Sequence, residues 1–106
     1  MRTIIFTAVA LSVTQLAHAG ESASGEELMT HGGCISCHRV DQKLLGPAFK
    51  DVATRYRGDL QAPARLFAKV REGGEGEWGD LPMQPNSEQK ISDADLRALL
   101  EWILQL

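Results

Sequence analysis

Cysteine occurs only twice in this chain, as Cys34 and Cys37, and His38 follows the second directly. Cys34-Ile35-Ser36-Cys37-His38 is C-x-x-C-H, the attachment signature of a c-type haem. The spacing follows from the chemistry. Two thiols three residues apart on one helical turn can each add to a vinyl group on the same porphyrin edge. The imidazole after the second thioether is then held under the iron, where its Nε2 can ligate. The macrocycle also brings a broad, flat, apolar surface. A chain of 106 residues with two cysteines has no disulfide framework, and so small a domain is marginal without another staple.

Three other readings of the same residues stay open at this point. A thioredoxin-like dithiol needs a βαβ setting, and the chain shows no convincing alternating strand pattern. A structural zinc site needs four well-spaced ligands, whereas His31, Cys34, Cys37 and His38 crowd into eight residues. A plain Cys34–Cys37 disulfide leaves His38 without a role.

Residues 1–19 read as an export signal. Arg2 is the positive n-region, Ile4 to Val13 a mostly apolar stretch, and Ala17-His18-Ala19 a small-x-small cleavage site. Ser12, Thr14 and Gln15 cut the apolar run short of the roughly 20 residues a spanning helix needs. The expectation is cleavage after Ala19, giving a periplasmic domain of residues 20–106 that is not membrane-embedded and works as a monomer. Its small-residue start, 20–25, reads as a flexible leader. The formal charge is −3, and one unit more negative without Arg2, which argues against nucleic acid as a partner.

Four helical patterns follow. Ser24-x-x-Glu27 has capping-box form ahead of Leu28 and Met29, and Gly32-Gly33 stops that helix. Pro47 is placed to open a second helix at its first position, with Phe49, Val52, Ala53 and Tyr56 on one face. A third runs from about Gln61 to Glu72, with Leu66, Phe67 and Val70 inward and Gly73-Gly74 at its end. Glu75 to Lys90 reads as a long loop, a kind of segment that often carries function. Ser92 caps the last helix, where Leu96, Leu99, Leu100 and Ile103 repeat at helical spacing and Trp102 reads as a packing residue. The fold class is all-α, about four short helices wrapped round one covalently attached haem.

Iron bound by His38 needs a sixth ligand or an open position. The candidates are Met29, Met83, His31 and the lysines. His31 is three residues before Cys34, too close to reach the far face of a porphyrin, and reads as an exposed helix residue. Met29 lies on an amphipathic helix, where methionine is usually core. Met83 is 45 residues after His38, in a loop stiffened by Pro82 and Pro85, and is the favoured ligand.

The sequence resembles the small class I bacterial cytochromes c, specifically the cytochrome c-551/c-552 group. The resemblance rests on Cys34 to His38, on Gly46-Pro47-Ala48-Phe49-Lys50-Asp51-Val52-Ala53, on Trp78-Gly79 with Pro82-Met83 and Pro85-Asn86, and on Ser92-Asp93 with the Trp102 helix. It implies one haem c held by Cys34 and Cys37, with His38 and Met83 as axial ligands. It further implies that the Pro47 carbonyl accepts from the other nitrogen of His38. Trp78 would donate its indole N–H to a propionate, and Lys69 would stand near a propionate. Asn86 would sit by the Met83 sulfur. Gln84 replaces the second proline usual after the ligand methionine, the 87–91 approach to the last helix is slightly long, and Lys69 replaces a frequent arginine. The implied function is an electron carrier, not an enzyme. It would shuttle single electrons between transient redox protein partners of a respiratory chain, with a nitrite reductase or terminal oxidase as acceptor. The competing reading is a gas sensor or small peroxidase with an open sixth site, which requires Met83 not to bind.

Overall fold

Ser24 opens the first helix by the expected reciprocal cap. Its hydroxyl accepts from Glu27 N–H at 3.2 Å, while the Glu27 carboxylate accepts from Ser24 N–H at 3.0 Å. The computed structural model describes residues 23–106, so the export signal, its cleavage site and residues 20–22 of the leader lie outside the described residues. Ser24 and Gly25, assigned to the leader by composition, are the N-cap and first residue of α1 (Gly25–His31). The cap satisfies donors that a loose leader would leave to water. After a single 3-10 turn at Cys34–Ser36 come α2 (Phe49–Tyr56), α3 (Ala62–Glu72) and α4 (Asp93–Leu104).

Pro47 does not start α2; Ala48 is its N-cap and Phe49 its first residue. The reason lies in where the first-turn N–H groups go. Phe49 N–H donates to Arg39 O at 2.9 Å and Lys50 N–H to Val40 O at 3.0 Å, so the loop after the cysteine motif supplies the acceptors. Helix α3 begins one residue later than expected, with Gln61 as cap and Pro63 near its start, and ends on Gly73. Among the described residues the only β pairing is two isolated bridges, His38↔Lys43 and Gly74↔Met83.

Helix α4 packs against α1, α2 and α3. Ser92 caps it, and Asp93 and Asp95 complement the positive end of its dipole. Its stripe of Leu96, Leu99, Leu100 and Ile103 is buried among Leu28, Met29, Phe49, Val52, Ala62, Leu66 and Ile91. Trp102, half-buried, lies flat on α1: a Cβ at Gly25 would run into its ring. Glycine at this crossing therefore sets how close the first and last helices come.

Gly25→Ala tests that contact. The propensity gain of alanine is at most about 1 kcal/mol and smaller at a first helical position, whereas overpacking costs about 1–3 kcal/mol. Denaturant unfolding of the haem-loaded protein should show a net loss of stability.

Candidate haem-binding site

The cysteine motif sits on the 3-10 turn, tighter than the helical turn expected of it. Gly33, at φ 74°, reverses the chain out of α1. Cys37 N–H and His38 N–H both donate to Cys34 O, at 3.1 and 2.9 Å. This folds the two thiols and the imidazole onto one short stretch of backbone. Cys34 and Cys37 are half-buried free thiols. Burial pushes the Cys34 thiol above its ordinary value, and the nearby Lys90 ammonium acts in the opposite sense.

His38 is constrained from several directions. Its Nδ1 lies 2.8 Å from Pro47 O. A carbonyl only accepts, so Nδ1 carries a proton, and in the neutral ring the lone pair is on Nε2. Phe49 stacks on the ring at 5.0 Å between centroids and 23° between planes. Gly46 passes so close that a Cβ there would collide with the imidazole. Gly46 N–H is tied in turn to Cys37 O at 2.8 Å, which closes the 38–46 loop around the ring.

The free side of His38 opens into an apolar cleft. Cys34, His38, Met83 and Asn86 all line it, and hydrocarbon from Phe49, Val70, Ile91 and the α4 stripe makes up most of the rest. His38 and Met83 thus meet in one cleft although 45 residues separate them in sequence. This donor set fits a haem: two unpaired thiols beside an imidazole with one free nitrogen, a thioether in the same cleft, and apolar walls. Met29 is buried in the core at 5% exposure, as expected. His31 is exposed at the end of α1. Among the described residues no three of His, Cys, Asp and Glu gather as a metal site. The lack of strands among them removes the thioredoxin setting. A second, more open hollow between α1 and residues 39–42 contains neither cysteine nor His38.

Met83 is carried by a loop closed at its neck. Gly74 N–H donates to Met83 O and Met83 N–H to Gly74 O, each at 2.9 Å. Beyond it, buried Asn86 pins the chain to the end of α3. Its N–H donates to Val70 O at 3.0 Å, and its Nδ2 donates to Val70 O at 3.2 Å and Gln84 O at 2.9 Å. Asn86 lines the same cleft as Met83, and its amide hydrogens hold backbone carbonyls on either side of the loop end. Arg71 reinforces the joint, donating to Asn86 O at 3.2 Å and to Asp93 Oδ1 at 2.6 Å. The Lys69 ammonium lies against Gly74, at the neck of the loop. Trp78 is at the tip, 37% exposed. Cys37, Lys69 and Trp78 do not line the cleft itself.

The cytochrome c family model matches residues 22–106, most of the chain. The chain belongs to the cytochrome c family. It is similar to cytochrome c-551 of Allochromatium vinosum, at 45% identity over 96 residues, covering 91% of this chain and all of that protein. It is also similar to cytochrome c-551 of Pseudomonas aeruginosa, at 38% identity over 91 residues, covering 86% and 85%. The crystal structure of Nitrosomonas europaea cytochrome c552 superposes with a TM-score of 0.71 at 43% identity, covering 76% of this chain and 98% of that one. The protein is therefore a monohaem class I c-type cytochrome of the c-551/c-552 group, with one covalent haem c, and an electron carrier rather than an enzyme. Among the described residues no helix of this cytochrome is long and apolar enough to cross a membrane.

The buried amide at the loop end gives a stability prediction. Asn86→Ala removes both side-chain donors while the carbonyls they serve stay in place, at a cost of about 1–3 kcal/mol. The drop should appear in the denaturant midpoint of the haem-loaded protein.

Proposed function

We propose that this cytochrome shuttles single electrons through a periplasmic respiratory chain, with Cys34 and Cys37 as thioether anchors and His38 and Met83 as axial ligands of its haem. One observation carries the reading: His38, whose Nδ1 is engaged by Pro47 O, and Met83 line the same apolar cleft. The bound haem supplies a one-electron ferrous–ferric couple.

The residues set the terms of that couple. Pro47 O holds the His38 ring in one tautomer and one orientation. Met83 offers a neutral thioether, which favours the reduced state relative to a second imidazole. The hydrocarbon walls act in the same direction by disfavouring net positive charge. Lys69 serves a propionate as a point charge, without the two-pronged fork of an arginine. Trp78 serves one through its indole N–H. Asn86 supports the ligand loop through the carbonyls it holds.

Redox partners dock beside the cysteine turn. Ile35 at 38%, Leu44 at 46% and Leu45 at 59% exposure form an apolar surface next to Cys37, with Arg39 and Lys43 on the same two segments. Lys50, a third candidate for that rim, is paired with Asp41 at 2.8 Å. By analogy with the family, a nitrite reductase or a terminal oxidase suits the role of acceptor. Cleavage after Ala19 delivers the chain to that compartment. Intact mass of the protein from the periplasmic fraction should start at Gly20 and carry one haem.

Absorption spectra test the ligand set. The air-oxidised protein should show the weak far-red methionine–iron band, and the dithionite-reduced protein sharp low-spin α and β bands. Met83→Ala should abolish the far-red band, lower the reduction potential and open the ferrous iron to carbon monoxide. A high-spin parent that binds carbon monoxide would favour the sensor or peroxidase reading instead.

A further inference from the structure

The tip of the Met83 loop is grasped by the last two residues of α2, a contact that neither the cleft nor the cysteine turn requires. Arg55 Nη1 donates to Glu77 O at 2.5 Å. Tyr56 OH donates to Glu77 Oε2 at 2.9 Å. The Arg55 guanidinium also lies over the Trp78 ring, 4.5 Å from its centroid, and 5.8 Å from that of Tyr56. Glu77 and Trp78 lie between Gly76 and Gly79, which are joined by a 2.9 Å backbone hydrogen bond. The loop tip is thus held by two side chains from another element, through a carbonyl, a carboxylate and an aromatic face.

The anchors of the Met83 loop do different things. The Gly74↔Met83 bridge fixes Met83 within the loop, and Asn86 and Arg71 hold the residues after it to α3 and to the start of α4, but none of these reaches the tip. The clasp at the tip ties the loop to the body of the protein. The same helix that clasps it begins against His38, through Phe49 stacking and the Pro47 carbonyl just before it. An eight-residue helix is about 12 Å long, so α2 acts as a strut between the His38 loop and the Met83 loop.

We infer that Arg55 and Tyr56 are positioning residues that keep Met83 in the cleft by clasping Glu77 and Trp78 at the tip of its loop. The inference rests on the reading of Met83 as an axial ligand. A cation–π contact and a side-chain hydrogen bond at partly exposed sites each contribute modestly, and together they correspond to about a tenfold shift in a loop-opening equilibrium.

The test is imidazole binding to the ferric, haem-loaded protein, followed by its Soret shift together with the far-red band. The double variant Arg55→Ala/Tyr56→Phe should bind imidazole about tenfold more tightly than the parent and show a weaker far-red band. Arg55→Lys should recover part of the loss, because it keeps the charge without the planar stack. Arg97→Ala, which removes a cation–π contact with Phe67 between α4 and α3, should match the parent. In a Met83→Ala background, where the position is already open, the double substitution should change the affinity by less than about twofold. An intact band with affinity within about twofold of the parent overturns the clasp, even if thermal stability falls. So does an effect that persists in the Met83→Ala background. A parent with no far-red band, unaffected by Met83→Ala, removes the ligand reading and the clasp with it.

Discussion

The hydrogen bond from His38 Nδ1 to the Pro47 carbonyl joins the cysteine turn to the approach of α2 and leaves the imidazole a single free nitrogen. Most of the site is arranged around that constraint. Gly46 has no side chain because the ring occupies the space a Cβ would need. Phe49 is the first residue of α2 because its ring stacks on the imidazole while its N–H is taken by Arg39 O. A freely rotating imidazole could offer either nitrogen in many directions; this one has its Nδ1 engaged and its ring held in one orientation beside the cleft.

The cleft and the hydrophobic core share residues. Leu96, Leu99, Leu100 and Ile103 of α4 pack against the other helices and also line the wall that His38 and Met83 face. The prosthetic group of a c-type cytochrome is thus a structural element as much as a redox centre. It adds apolar area to a domain whose helices run from 7 to 12 residues and bury little on their own.

Local chemistry was legible in the sequence, and distant contacts were not. The capping box at Ser24, the cap at Ser92, the stop at Gly73 and the α4 stripe depend on residues within a few positions of one another. So does the C-x-x-C-H turn. The start of α2 shifted past Pro47 because carbonyls at 39 and 40, outside any local pattern, take its first N–H groups. The contacts of Asn86 were hidden for a similar reason, since its acceptors include Val70 on α3. Tyr56 was legible only as the end of an apolar face, and Arg55 left no mark in the periodicity. Their partners Glu77 and Trp78 lie more than twenty positions away in an irregular loop, and an exposed arginine ordinarily means only a solvated surface. Trp102 was legible as a packing residue, but its seat on Gly25, at the opposite end of the domain, was not.

That seat bears on the order in which the molecule is completed. A chain made from its amino end presents α1 and the cysteine turn first, and Trp102 last. Until α4 is in place, α1 lacks the surface it rests on and the cleft lacks its α4 wall. Closure of the two chain ends upon each other therefore belongs to the last step of assembly.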